Sequence, residues 1–325
     1  MNSLTNRQAS PVMVVVAFAI VYIVWGSTYL FIRLAIEDIP AMLMASVRFL
    51  IAGSLMMAWC LIKKEKIFSW TNIKPALISG LLMLFIGNGA VVWSEQYISS
   101  SLAAILVSAG PLWFVLLDKS NWKKNLSSKE TVIGLVIGFL GVILLFGENL
   151  MKSLNEPGSD LQMIASGALI VGSIAWAGGS LYSKYKSSST ASNSANSAWQ
   201  MLAAGVAFLP VSFLSGETQN FDPSQVSATS WFSLIYLITM GSLAGFSAYV
   251  WLLSVRSATQ VSTHSYVNPV VAVLLGVFFA NEHMTVLQIS GLGIILVSVL
   301  LINISKYRKS SASIEIKTGA KAKVA

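Results

Sequence analysis

Between Val12 and Ile304 the chain runs through one apolar segment after another, each of roughly 20 residues, the length an α-helix needs to cross a bilayer. Ten such segments follow each other with short loops between them, which leaves no room for a soluble catalytic domain. In hydrocarbon every backbone N–H and C=O must find its partner inside the protein, so this pattern folds as a helical bundle or not at all. Of the 325 residues, 55% are hydrophobic and only 10% charged, where a soluble domain carries roughly 25% charged residues. The first segment lacks the short apolar core and small-residue cleavage site of a signal peptide, and is read as a retained span. Cys60 is the single cysteine, so neither a disulfide nor a cysteine metal pair is expected.

The net charge of +8 matters less than where the charges fall. With the N-terminus in the cytoplasm, the inner segments hold Lys63, Lys64, Lys66, Lys123, Lys124, Lys184, Lys186, Arg256 and the basic tail, and the outer loops hold only Arg33 and Lys152. That bias predicts both termini on the cytoplasmic side and an even number of spans. The basic surplus is thereby explained without a nucleic-acid partner. The lipid bilayer is the expected surrounding, and monomer and homodimer are both open.

The two halves echo each other. Trp25 and Arg33 answer to Trp176 and Lys184. RFLIAG at Arg48–Gly53 answers to QMLAAG at Gln200–Gly205, and Gly87, Ala90 and Trp93 answer to Gly245, Ala248 and Trp251. Pro111 answers to Pro269. The separation stays between 151 and 158 residues. Five spans per half is an odd number, so the second copy must enter the membrane upside down, which is a transporter signature. The expected division is a cytoplasmic N-terminus at 1–11, a first five-helix repeat at 12–147 and an outer connecting loop at 148–160. A second five-helix repeat at 161–304 and a disordered basic cytoplasmic tail at 305–325 complete it.

On WGSTY at Trp25–Tyr29, RFLIAG at Arg48–Gly53 and YVNPVVAVLLGVFFANEHMTVLQISG at Tyr266–Gly291, the chain resembles the EamA-type drug/metabolite transporters, which have ten spans. The resemblance covers residues 12 to 304. It implies a secondary transporter, usually an exporter of amino acids, metabolites or toxic compounds.

The expected cavity lining is Trp25, Thr28, Tyr29, Arg48, Asn88, Trp176, Tyr249, His264 and Tyr266. A polar cluster such as WGSTY inside a span faces protein or an aqueous path, and its serine and threonine can also bond back to the helix. Arg48 costs about 2.5 to 3.5 kcal/mol at the centre of a span. It holds a substrate carboxylate, or it snorkels outward, or it bonds helix carbonyls and Asn88. Trp25, Trp176 and Tyr249 suit an aromatic part of a substrate. His264 is the candidate for proton coupling, and the alternative is a bond to a neighbouring helix. Gly26, Pro111 and Pro269 are the expected hinges, with a static bend as the other outcome for the prolines.

An enzyme would need a nucleophile with its base or a set of metal ligands. The chain has two histidines and no HExxH, GxSxG or P-loop motif, so no catalytic residue, metal or cofactor is expected. The runner-up is a lipid or polyprenyl-carrier flippase with the same architecture. The charge bias is directly testable: reporters fused after Lys66, Lys124 and Lys186 are expected in the cytoplasm, and one after Glu217 outside. An external signal at Lys124 would overturn the ten-span order.

Overall fold

The structure, a computed structural model, describes residues 10–98, 100–145, 151, 160–187, 192–219, 221–280 and 285–302. Most of the 148–160 loop and the whole 305–325 tail lie outside the described residues, as does Glu282. Every regular element among the described residues is helical. Six helices are long and apolar enough to cross a membrane: α1 (Pro11–Ala35), α2 (Ala41–Ile62), α3 (Trp70–Ser94), α8 (Asp160–Lys186), α9 (Asn193–Leu214) and α10 (Ala228–Val255). The remainder are shorter: α4 (Ser100–Val107), α5 (Gly110–Leu117), α6 (Trp122–Leu126), α7 (Lys129–Leu145), α11 (Ala258–Val261), α12 (His264–Ala280) and α13 (Val286–Ile302).

Helix ends follow ordinary local chemistry. Pro11 opens α1, where its missing N–H costs nothing. Asp160 sits in the first turn of α8 and Lys184 and Lys186 in its last, each opposite the matching end of the helix dipole. Ser192 and Ser227 cap α9 and α10 by accepting from Ala195 and Ser230 backbone N–H groups. Asp38, at the end of the bundle where α1 meets α10, accepts hydrogen bonds from Ser227 and Ser230, which hold its carboxyl below the usual carboxylate range.

Two of the ten apolar segments expected as single helices, 99–117 and 258–280, are broken in the structure. The stretch 99–117 is not one helix but two, because the chain turns at Ser108–Ala109 and Pro111 starts α5 in its first turn. Pro111 is therefore a helix start and not a bend within one. The stretch 258–280 breaks at Ser262–Thr263, where both hydroxyls bond carbonyls of the preceding turn. Pro269 lies inside α12. Gly26 serves close packing: a Cβ there would meet Val271 Cβ at 2.5 Å and Asn268 O at 3.0 Å.

Two helices, α3 and α10, contain π-helical stretches, at Leu81–Asn88 and Leu237–Phe246. They fall in the segments carrying the Gly87/Gly245 match. Wide turns of this kind leave the regular hydrogen-bond ladder and recur at functional positions.

Two of the five apolar clusters among the described residues hold most of the core. The larger joins α1, α2, α3, α9 and α10 around Phe49, Met83, Met201, Phe208 and Phe246. The smaller joins the shorter helices around Leu135, Val142, Tyr266, Val270 and Ile295. Leucine, isoleucine and valine side chains elsewhere stay exposed, including Ile23, Leu30, Leu55 and Leu300, as a lipid-facing surface requires.

The most extensive seam lies between α2 and α9. A Cβ on Gly53 would come within 2.9 Å of Leu202 Cγ and of its backbone nitrogen, and one on Gly205 within 2.8 Å of Leu50 Cγ and nitrogen. Each glycine thus receives the leucine of the other helix. Small residues at such crossings let backbones approach where lipid supplies no hydrophobic drive. Gly53→Val is expected to cost about 1–3 kcal/mol, read as a lower melting temperature in detergent. Gly167→Ala, with nothing within 4 Å of its new methyl, is the control expected to leave it unchanged. A wild-type melting point for Gly53→Val would remove the seam from the stability account.

Candidate functional site

In the middle of the bundle is a cavity with about 830 Å³ of atom-free space, including the part open to its surroundings. Its wall takes residues from α1, α2, α3, α4, α5, α8, α10 and α12, so both halves of the sequence build it. Seven of the nine expected lining residues are in that wall: Trp25, Thr28, Tyr29, Arg48, Asn88, Trp176 and His264.

The other two are placed differently. Tyr249 is fully buried behind the wall, where its hydroxyl receives a hydrogen bond from Trp176 Nε1 at 3.0 Å and lies 2.6 Å from Ser180 Oγ. It positions Trp176 from behind. Tyr266 belongs to the smaller core, and its hydroxyl donates to Leu135 O at 2.7 Å. Gly138 makes room for that ring, since a Cβ there would meet Tyr266 Cε2 at 2.6 Å.

An aromatic layer forms one side of the cavity. Trp25 stands edge-on to Trp176 at 5.4 Å between ring centroids and edge-on to His264 at 5.1 Å, and Tyr249 packs against Trp25 at 4.9 Å. Trp25 Nε1 donates to Gly241 O, a carbonyl of the π-helical stretch of α10, at 3.1 Å. The glycine at 245 is needed for the same ring, because a Cβ there would lie 2.6 Å from Trp25 Nε1.

Thr28 and Ser27 give a mixed answer to the question of polar residues in α1. Thr28 Oγ1 bonds back to Trp25 O at 2.7 Å and stays in the wall. Ser27 Oγ donates to Val24 O and meets Tyr236 OH at 2.7 Å, which ties α1 to α10.

Arg48 dominates the electrostatics. It is 4% exposed, Nε donates to Ser242 Oγ at 2.9 Å, and the guanidinium lies over the Phe49 ring at 4.9 Å. Its Nη1 is buried without a partner, and no aspartate or glutamate lines the cavity among the described residues. Snorkelling and a bond to Asn88 are both absent from this geometry, since Asn88 Oδ1 is also unpartnered. Ser173 Oγ, His264 Nε2 and Asn268 Oδ1 complete a set of wall atoms with unused hydrogen-bonding capacity. The Asn268 amide lies 3.4 Å from His264 Nδ1. With the amide nitrogen donating, Nδ1 accepts and the proton of a neutral ring sits on Nε2.

Two helices begin at this wall. Gly110 is the first residue of α5, and His264 and Ser265 are the first two of α12. Helix N-termini carry partial positive charge, so they add to the field of Arg48.

Ser173, Ser242 and Asn268 were not among the expected site residues. Asn268 had a signal, its place between His264 and Pro269; the serines sit in glycine-rich stretches, GS at 172–173 and 241–242, that look like helix-packing sequence.

Comparison with known proteins fits this architecture. The EamA-like transporter family model matches twice, at residues 12–147 and 163–304. The uncharacterized inner membrane transporter YedA of Escherichia coli K12 is 35% identical over 288 residues, 88% of this chain and 89% of that protein. The uncharacterized transporter YvbV of Bacillus subtilis is 24% identical over 303 residues, 92% and 94% of the two chains. A solved crystal structure with 16% identity covers 92% of this chain and 99% of its own, with a TM-score of 0.74, and is similar in fold. This membrane protein, with its central cavity walled by both halves, belongs to the EamA-like transporter family.

Proposed function

We propose that the protein is a secondary active exporter of a small organic anion, such as a carboxylate-bearing metabolite, amino acid or drug, working by alternating access across the inner membrane. In this reading the chain makes ten spans in two inverted five-helix repeats with both termini in the cytoplasm. The reciprocal Gly53–Leu202 and Gly205–Leu50 contacts support a two-fold relation between halves, because each element meets the equivalent of its own partner. The π-helical stretches ending at Asn88 and Phe246 support it as well.

One observation carries the substrate class: Arg48 is a buried cation with a free donor in a cavity whose described lining holds no acid. An unpaired buried charge costs several kcal/mol, and a ligand that brings the missing anion recovers that cost. The N-termini of α5 and α12 favour the same sign of charge. The Trp25 and Trp176 rings offer an apolar wall for the remainder of the ligand.

Purified protein in vesicles, tested by counterflow against a panel of amino acids and aromatic and aliphatic carboxylates, is expected to exchange members that carry a carboxylate. Arg48→Gln is expected to weaken half-saturation by about ten- to a hundredfold, the worth of a charged hydrogen bond. Arg48→Lys should recover part of it. Exchange with wild-type half-saturation in a folded Arg48→Gln variant would return the residue to structure.

The proton gradient is the proposed driving force, with His264 as the carrier in the cavity. Its ring stands in the wall with only the Asn268 amide, 3.4 Å away, at Nδ1, and imidazole titrates near pH 6.5 in water, so a change of surroundings between the two access states that moves this amide is enough to load and empty Nδ1. His264→Gln is then expected to retain counterflow while losing accumulation driven by a pH gradient. Uphill transport surviving in that variant would reject His264 as the carrier.

A further inference from the structure

Equivalent contacts close the two ends of the bundle, with one difference. At the end where α1 and α3 terminate, Arg33 Nη1 donates to Glu95 O at 2.6 Å, covering the free carbonyls beyond α3. At the opposite end Lys184 Nζ donates to Leu253 O at 2.5 Å and Arg256 O at 2.7 Å, covering those of α10. Arg33 and Lys184 occupy matching positions after Trp25 and Trp176, and Glu95 and Leu253 matching positions after Trp93 and Trp251. The capping job therefore needs no acid: leucine does it in the second half.

Yet Glu95 is fully buried, and neither carboxylate oxygen has a hydrogen-bond partner. Arg33 bonds the backbone carbonyl of Glu95 and makes no hydrogen bond to its side chain. The ionisable groups that act on the carboxyl among the described residues are Arg33 and Tyr29, both on α1. The flanking α4 has no ionisable residue, and α8, joined here by Ser94 Oγ donating to Ala165 O, has Asp160 at its first position and then none before Tyr182 and Lys184 near its other end. Burial pushes the carboxyl up to about 8, against the downward pull of Arg33. An ionised carboxylate with no hydrogen bond in such a place costs several kcal/mol, so this closed arrangement holds the neutral acid.

Resting on the alternating-access reading above, we infer that Glu95 is a proton-controlled latch on the outer gate: the Arg33–Glu95 end closes when the Glu95 side chain takes up a proton and opens when it ionises. In the open arrangement water reaches the carboxylate, and the Arg33 guanidinium, freed from the α3 carbonyl, is there to pair with it. The closed form binds the proton more tightly, so raising the pH favours the open form. The change is confined to the window between the ordinary carboxylate range and about 8.

The test needs no known substrate. Ser173→Cys places a thiol in the cavity wall, and Gln219→Cys, in an exposed outer loop, reports the reagent's own pH dependence. Both are labelled in right-side-out vesicles with a membrane-impermeant maleimide between about pH 5 and about pH 9. The protein carrying only Cys60, which is buried, supplies the background.

The expected result is that Ser173→Cys labelling, divided by that of Gln219→Cys, rises several-fold with pH and levels off near pH 8. With Glu95→Gln it stays at the low-pH level throughout, and Glu95→Leu, which installs the residue of the second half, does the same. Glu95→Asp retains a rise. The wild-type rise persisting in Glu95→Gln and Glu95→Leu would overturn the latch while leaving the transporter reading intact. Labelling of Ser173→Cys from one side only, at every pH and in inverted vesicles as well, would instead overturn alternating access and the latch with it.

Discussion

The rest of the bundle is arranged around the close crossing of α2 and α9. Two glycines and two leucines interlock there so closely that a single added methyl on either glycine would strike backbone. That contact lets Ser46 Oγ reach Gly205 O at 2.8 Å, and it sets Arg48 on the face of α2 turned toward α10, with the Phe49 ring stacked on Phe208 of α9. The large core of Met201, Phe208 and Phe246 packs around the same crossing. In hydrocarbon, where apolar burial gives little advantage between helices, fit of this kind is the main available source of cohesion.

From that seam follows the character of the cavity. Arg48 is anchored through one nitrogen to Ser242 and held against Phe49, so its free Nη1 is fixed in place. A donor that is already oriented and already desolvated gives more of its binding energy to a ligand than a mobile surface lysine can. The aromatic layer of Trp25, Trp176 and Tyr249 is likewise locked, by Gly241 O on one side and Ser180 on the other. On the α10 side the wall is held by these side-chain bonds, and α3 and α8 line it with short polar groups, Asn88 and Ser173.

Much of this was legible in the sequence, for a plain reason. Spanning helices write their length into hydropathy, and the RFLIAG and QMLAAG pair pointed to the two glycines that meet at the seam. Trp25, Arg48 and His264 stood out because polar or bulky groups inside apolar segments require a purpose. What the sequence withheld depends on which way a helix faces. Tyr266 and Tyr249 look alike by depth, but each hydroxyl found a carbonyl or hydroxyl partner away from the cavity. The breaks at Ser108 and Ser262 are hidden because serine also sits comfortably within a helix. Glu95 reads as a boundary residue by position, and only the packing of Arg33 and Ala165 around its turn buries it.

The π-helical stretches of α3 and α10 carry a mechanical consequence. A wide turn holds more residues than an α turn, so it stores a short length of slack inside a helix whose two ends are pinned. Tightening one such turn re-registers every residue beyond it by one position, a rotation of about 100° about the axis. In α10 the stretch Leu237–Phe246 carries Gly241 and Ser242, the carbonyl and hydroxyl that hold Trp25 and Arg48. A tightened turn there would carry Gly241 O and Ser242 Oγ away together, so the anchors of Trp25 and Arg48 are kept or released as one.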